Sequence, residues 1–221
     1  MAQALVIGSS GGIGSALCAA LGGQGWQVTG LSRSEHGLDV TDEASVQQHL
    51  GALSGPFRRV IIATGALEIG GYTPEKALKH IEAPGMADQF ALNTIGPALV
   101  MKHALRLLPR DEPAVMAALS ARVGSIGDNR AGGWHSYRAA KAALNQIIRG
   151  AAIELGRSHK HAICVALHPG TVATEFTRKY LGRHPAVPPS EAAANLLRVI
   201  DGLTPAQTGR FFDWAGTEVA W

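Results

Sequence analysis

The chain has 221 residues, of which 46% are hydrophobic and 17% are charged, and its formal net charge is +3. This length and composition suit one globular domain over residues 1–221 with a sizeable core. The sequence has no concentrated run of Lys and Arg, no apolar stretch long enough to span a bilayer and no secretory leader pattern, so we expect a cytoplasmic protein that binds neither nucleic acid nor membrane. Its two cysteines and nine histidines lack metal-ligand spacing, and no metal site is predicted.

Apolar segments rich in β-forming residues alternate with helical patterns along the chain. The predicted strands are residues 4–7, 27–31, 59–63, 114–119, 162–167 and 210–214. The predicted helices are residues 12–21, 43–53, 74–81, 86–108, 137–155 and 191–200, with Thr41 and Thr73 as N-caps of the second and third and a bend at Gly96-Pro97 in the fourth. Strand and helix in alternation predict a doubly wound, Rossmann-type α/β fold, with helices on both faces of a parallel sheet. Residues 124–133 and 182–189 are the two irregular segments, and function often lies in such loops.

A glycine-rich segment, Gly-Ser-Ser-Gly-Gly-Ile-Gly at residues 8–14, follows the first predicted strand and opens the first predicted helix. Glycines permit a tight turn and a close approach of backbone to phosphate, and a helix N-terminus offers free N–H groups to an anion. The segment therefore predicts a nucleotide-binding turn, although its spacing is G-x-x-x-G-x-G rather than G-x-G-x-x-G. The candidate cofactor contacts in it are Gly8, Ser10, Gly12, Ile13 and Gly14.

The end of the second predicted strand indicates which nucleotide is bound. An acidic residue there contacts the ribose 2′-hydroxyl of NAD, whereas Arg accommodates the 2′-phosphate of NADP. This strand ends at Ser32 and Arg33, which favours NADP(H). Glu35 follows closely, and its carboxylate leaves NAD(H) as the alternative.

Tyr137 and Lys141 stand four residues apart at the start of the fifth predicted helix, so both side chains share one face. A cation about 4 Å from a phenol, at an effective dielectric of about 20, is worth about 4 kcal/mol. That energy equals about three pKa units, enough to bring the Tyr137 pKa from about 10 towards neutrality. The pair predicts acid–base chemistry.

These motifs, in this order, resemble the short-chain dehydrogenase/reductase family over essentially the whole chain. The resemblance also includes Leu-Asp-Val-Thr at residues 38–41, Asn93, and His-Pro-Gly-Thr-Val-Ala-Thr at residues 168–174. Within the family, the segment at residues 122–129, the short chain and its ending resemble the C-factor and sniffer-like carbonyl reductases.

The resemblance implies roles for particular residues. Asp39 and Val40 would border the adenine, and Asn93 would hold a water that relays protons to Lys141, which would also bind the nicotinamide ribose. The nicotinamide would be lined by Pro169, Gly170, Val172 and Thr174. The family commonly pairs the helices that here are residues 86–108 and 137–155, which implies a homodimer or homotetramer.

Two departures from the family pattern stand out. The usual Asn-Asn-Ala-Gly after the strand at 59–63 reads Ile-Ala-Thr-Gly here, so only Gly65 is kept. The usual catalytic serine, the second of a pair, is replaced by Ala121, which follows Ser120. Ser125, in the next loop, is the candidate donor that could take its place, with a simple turn residue as the alternative.

The sequence therefore predicts a short-chain NADP(H)-dependent carbonyl reductase or alcohol dehydrogenase acting on a small carbonyl or alcohol substrate, with Tyr137, Lys141, Asn93 and Ser125 as catalytic residues. Trp134 and His135 are expected to wall the substrate pocket. The alternative hypothesis is a cofactor-binding protein of C-factor type, which acts in signalling or redox sensing with weak or no catalysis.

Overall fold

A computed structural model describes residues 1–175, 177–181 and 186–221 of the chain. Of the irregular segment predicted at 182–189, residues 182–185 lie outside the described residues. The strands are β1 (Gln3–Ile7), β2 (Gln27–Leu31), β3 (Arg59–Ile62), β4 (Ala114–Leu119), β5 (Ala162–His168) and β6 (Phe211–Asp213). The α-helices are α1 (Gly12–Gly23), α2 (Arg33–His36), α3 (Glu43–Gly51), α4 (Ala83–Phe90), α5 (Gly96–Ala104), α6 (His135–Ser158) and α7 (Pro189–Gly202).

The six strands form one parallel sheet in the order β2-β1-β3-β4-β5-β6. In the register of the sheet, Ile7 at the end of β1 stands between Leu31 of β2 and Ile62 of β3. The order of the strands reverses between β1 and β3, and ligands of such sheets bind beyond the carboxyl ends of the strands at this switch point. The predicted doubly wound α/β fold is confirmed.

Buried side chains divide between the two faces of the sheet. Along β1, Leu5 and Ile7 join the cluster beneath α3, α5 and α6, whereas Ala4 and Val6 join the cluster beneath α1 and α7. Alternate residues of a strand point to opposite faces, so a strand covered on both faces is apolar at every position. This is why the short strands read as continuous apolar runs in the sequence.

The predicted helix at 86–108 is interrupted. Helix α4 ends at Phe90, a π-helical turn spans Ala91–Ile95, and α5 begins at Gly96. A Cβ on Gly96 would lie 2.8 Å from Cγ2 of Val40, so glycine lets α5 approach Val40 closely. The π-helical turn carries Asn93, in keeping with the frequent occurrence of such turns at functional sites.

Two local predictions are wrong. Residues 74–81 do not form an α-helix; only a 3₁₀ turn at Leu78–His80 is present. Asp42 rather than Thr41 caps α3, since the Asp42 carboxylate accepts a hydrogen bond from the Ala44 amide, while the Thr41 hydroxyl donates to Asp39. Asp and Thr are both favoured caps, and the turn held by Asp39 decides between them.

Among the described residues, no helix combines the length and the hydrophobicity that crossing a membrane requires. Ile147 and Ile153 are exposed on α6, one of the two segments predicted to pair between subunits. The homodimer or homotetramer and the cytoplasmic location stay predictions.

Candidate active site

The turn between β1 and α1 is shaped by its glycines. Gly8 has a φ of +88°, and a Cβ on Gly14 would lie 2.1 Å from the Gly8 carbonyl oxygen. Gly11, the N-cap of α1, offers no side chain to the first N–H groups of the helix, and these groups are therefore free to bind an anion.

A cleft of about 380 Å³ lies over the carboxyl ends of the central strands. The structure brings ten of the predicted site residues to its walls: Ser10, Gly12, Ile13, Gly65, Tyr137, Lys141, Pro169, Gly170, Val172 and Thr174. Gly8 and Gly14 shape the turn beneath the cleft, while Ser32, Arg33, Asp39, Val40, Asn93 and Ser125 do not line it.

The cleft carries unpartnered polar atoms that fit a nucleotide cofactor. The Thr64 hydroxyl, in the cleft wall, and the nearby Ser9 hydroxyl are buried and have no hydrogen-bond partner among the described residues. Buried polar atoms are normally paired, and unpaired ones indicate a ligand or water. Together with the free amides of α1, these hydroxyls would hold the phosphates and sugars of a nicotinamide dinucleotide. Thr64 was not among the predicted site residues. It stands in the segment where the family pattern has asparagines, and this departure from the pattern was the one feature of the sequence that pointed to Thr64.

The end of β2 lies next to the glycine-rich turn. The Ser34 hydroxyl donates to the Ser10 hydroxyl over 2.9 Å, and this bond joins the segment after β2 to the glycine-rich turn. Arg33 is exposed at the start of α2. Ser32, the N-cap of α2, is buried. Asp39 instead holds its own turn, since its carboxylate accepts from the amide and the hydroxyl of Thr41, and these bonds lower its pKa.

Tyr137 and Lys141 meet at the floor of the cleft, on the first turns of α6. Lys141 Nζ donates to the Leu119 carbonyl over 2.9 Å and lies 5.8 Å from the centre of the Tyr137 ring. Only 8% of Tyr137 and 3% of Lys141 are exposed.

The structure does not show the predicted lowering of the Tyr137 pKa. Burial raises the pKa of the Tyr137 phenol above its usual value and lowers the pKa of Lys141 to about 7. Each neutral form is favoured because both groups are withdrawn from water. A protonated phenol is the form that can donate a proton.

Asn93 and Gly65 complete this part of the site. A Cβ on Gly65 would lie 2.8 Å from Asn93 Oδ1 and 3.4 Å from Lys141 Nζ, so both polar groups face the same point. Asn93 Nδ2 donates to the Ala66 carbonyl over 2.9 Å and to Gln89 Oε1 over 2.8 Å. Gln89 was not among the predicted residues, although its position four residues before Asn93 in a helical pattern was a usable signal.

The end of β4 places Ala121 in the wall of the cleft. Ser120 also borders the cleft, but its hydroxyl is buried and donates to Asn145 Oδ1 over 2.6 Å. The Ser125 hydroxyl is also buried, and it accepts a hydrogen bond of 3.1 Å from the Asp128 amide. The catalytic role of Ser125 stays a prediction, and the hydroxyl serves a turn in this structure.

Further side chains surround Tyr137. The Trp134 ring packs edge-on against the rings of Tyr137 and Tyr180, and Tyr180 and Lys179 both bind Glu68. A second cavity, of about 300 Å³, lies on another side of Tyr137 and is lined by Ser136, Gln89 and Glu75 among others. No pattern in the sequence pointed to Glu75.

His168 at the end of β5 also lines the cleft. Burial lowers the pKa of its imidazole to about 4, so the ring is neutral at physiological pH.

Comparison with known proteins shows the family to which the chain belongs. The profile of a protein family described as "Enoyl-(Acyl carrier protein) reductase" matches residues 8–211. The chain is 34% identical to 1-hydroxy-2-glutathionyl-2-methyl-3-butene dehydrogenase of Rhodococcus sp. (strain AD45), over 85% of this chain and 80% of that protein. It is 37% identical to the C-signal of Myxococcus xanthus, over 66% of this chain and 84% of that protein.

Two solved carbonyl reductases share the fold. Sniffer of D. melanogaster superposes with a TM-score of 0.85 at 21% identity, and each chain is covered completely. The NADPH-bound carbonyl reductase from chicken fatty liver superposes with a TM-score of 0.82 at 24% identity, over 99% of this chain and 94% of that one.

Proposed function

Because the chain belongs to the short-chain dehydrogenase/reductase family, we propose that it is an NADP(H)-dependent oxidoreductase of the carbonyl reductase or alcohol dehydrogenase type. The observation that carries the proposal is that Tyr137 and Lys141 line the same cleft as the glycine-rich turn. Bound NADPH would supply the hydride. The substrate is a small carbonyl compound or alcohol.

Tyr137 acts as the general acid in this proposal. Its raised pKa keeps the phenol protonated at neutral pH, ready to donate to the oxygen of a reduced carbonyl. NADP(H) is anionic, and an anion near Lys141 raises the pKa of the amine. We therefore expect Lys141 to be an ammonium when cofactor is bound, and in that form it lowers the Tyr137 pKa and contacts the ribose. Asn93, buried beside Lys141, would support the return of a proton to the site.

A preference for NADP(H) over NAD(H) is part of the proposal. It is supported by Arg33 and Ser32 at the end of β2, next to the Ser10–Ser34 hydrogen bond. The chicken carbonyl reductase of the same fold was solved with NADPH bound.

The test is consumption of NADPH by the purified protein with a panel of aldehydes, ketones and quinones. We expect turnover with at least one class, and we expect Tyr137→Phe to lower kcat by about 100-fold or more, since a positioned proton donor contributes about 10²–10⁴-fold. Tyr72→Phe is the matched control, because Tyr72 lines the second cavity and not the cleft. Full activity of Tyr137→Phe would refute the assigned role.

A cofactor-binding protein with little catalysis is the second candidate. The observations behind it are Ala121 in the cleft wall and the similarity to the C-signal of Myxococcus xanthus, whereas the similarity to a named dehydrogenase favours the enzyme. Tight NADPH binding without turnover on any member of the panel would support this candidate over the enzyme.

A further inference from the structure

Helix α6, which carries Tyr137 and Lys141, begins in an unusual way. Its N-cap is Trp134, in the left-handed conformation with φ of +50° and ψ of 39°, and the Trp134 side chain caps no N–H group. Left-handed backbone is uncommon outside glycine, and it persists at functional sites when the surroundings hold it. The first N–H groups of a helix also need acceptors.

Glu75 supplies these acceptors from outside the helix. The Ser136 amide donates to both carboxylate oxygens of Glu75, over 3.3 and 3.2 Å, and the Ser136 hydroxyl donates to Oε1. The Glu75 carbonyl in turn accepts from the Trp134 amide. One residue therefore holds both sides of the strained junction, from a segment 61 positions away in the chain.

The charge of Glu75 suits this position. Burial pushes the pKa of its carboxyl up, but hydrogen bonds from Ser136 and from the Glu75 backbone, together with the charge of His135, hold the pKa below its usual value. The group is therefore a carboxylate at neutral pH. A carboxylate at the N-terminus of a helix is also stabilised by the helix dipole.

Tyr137 depends on this junction for its position. The residue follows Ser136 directly, and its hydroxyl makes no hydrogen bond to any residue in the described parts of the chain. The phenol is therefore positioned by the first turn of α6 and by ring contacts such as that with Trp134, at 6.4 Å between ring centres.

We propose that Glu75 is a positioning residue for the reaction: its bonds to Ser136 and Trp134 hold the first turn of α6, and with it the Tyr137 hydroxyl, in the geometry for proton transfer. The inference rests on the proposed function of Tyr137. A misplacement of about 1 Å at a reacting group costs about 100-fold in rate, so a small shift of this turn is sufficient to be measured.

The test compares Glu75→Ala, Glu75→Gln and the control Glu82→Ala. Glu82 lines the same second cavity, and its side chain makes no capping hydrogen bond. We expect Glu75→Ala to lower kcat by about 10- to 100-fold, while KM for the carbonyl and the NADPH Kd, measured by fluorescence titration, change by less than about 2-fold. Glu75→Gln keeps an oxygen for the Ser136 amide and is expected to recover most of kcat. The apparent pKa in the pH–rate profile is expected to shift in Glu75→Ala alone.

Three outcomes would overturn the inference. They are a wild-type kcat in Glu75→Ala, a loss of kcat that matches the loss of folded protein seen by circular dichroism, and an equal loss in Glu82→Ala. Tyr137→Phe, measured in parallel, separates the two proposals. If Tyr137→Phe is inactive and Glu75→Ala is fully active, only the positioning role fails, whereas an active Tyr137→Phe removes the proposed function itself.

Discussion

The two ends of the cleft differ in whether backbone or side chains form the surface. At the β1 end, the binding surface is backbone, shaped by Gly8 and Gly14 and opened by the uncapped first turn of α1. At the β4 end, the surface is made by the side chains of Tyr137 and Lys141, with Ala121 where a hydroxyl is usual in the family.

This difference explains which end tolerates change. Gly8 and Gly14 leave no room for a Cβ, so a side chain at either position must displace the turn. A site of side chains can lack one donor and keep the rest, and the β4 end has Tyr137 and Lys141 together with Ala121. Cofactor binding and catalysis are therefore expected to separate on mutation.

Gly14→Ala is expected to have the largest effect on the β1 end. Its Cβ would lie 2.1 Å from the Gly8 carbonyl oxygen, so the turn must move. We expect the free energy of unfolding to fall by about 1–3 kcal/mol and the NADPH Kd to rise by about 100-fold, measured by denaturation and fluorescence titration. Gly22→Ala is the control in the same helix, since nothing lies within 4 Å of a Cβ there. Unchanged NADPH binding in Gly14→Ala would break the comparison.

Arg33→Ala is expected to act on one cofactor only. If the guanidinium binds the 2′-phosphate, its removal costs about 1.4 kcal/mol, or about 10-fold in NADPH affinity. NADH affinity provides the internal control and should not change. An equal loss for both cofactors would contradict the assigned role of Arg33 and with it the preference for NADP(H).

Ala121→Ser is expected to have the smallest effect and the opposite sign. A donor to a reacting oxygen is typically worth about 10²–10³-fold in kcat. Because the surroundings of position 121 fit alanine, we expect the added hydroxyl to raise kcat by only about 5-fold over the wild-type chain. Steady-state kcat on the best carbonyl substrate is the measurement.

Ser125→Ala completes this experiment at the β4 end. If Ser125 already donates to the substrate, Ser125→Ala loses activity and Ala121→Ser adds little. If Ser125 only holds its turn with Asp128, Ala121→Ser gives the larger change in kcat.

The sequence predicted those features whose signals are local. The strands, the glycine-rich turn and the Tyr137/Lys141 pair depend on short spacings, and the structure has them at nearly the predicted positions. Glu75 could not be predicted, because its contact with Ser136 joins distant segments and its own segment had been assigned to a helix. The raised pKa of Tyr137 was also missed, since a spacing of four residues gives proximity but not burial.

The interruption of the helix at 86–108 lies between these cases. A bend was predicted at Gly96-Pro97, whereas the irregular part of the helix is the π-helical turn at Ala91–Ile95, just before Gly96. Asn93 makes its bonds to Ala66 from this turn, and that partner lies on another segment. The sequence thus predicted Asn93 as a site residue, but not the residues with which it forms hydrogen bonds.

The bridge between Val172 and Val187 has a consequence for how this protein can diversify. Backbone hydrogen bonds from Ala173 to Val187 and from Val187 to Thr171 join the two ends of the segment that follows β5. The entropic cost of closing a loop grows only slowly with its length, so a segment whose ends are already joined can be exchanged for a longer or shorter one at little expense to the fold. A change of length between Ala173 and Val187 is therefore expected to leave the strands and the glycine-rich turn in place.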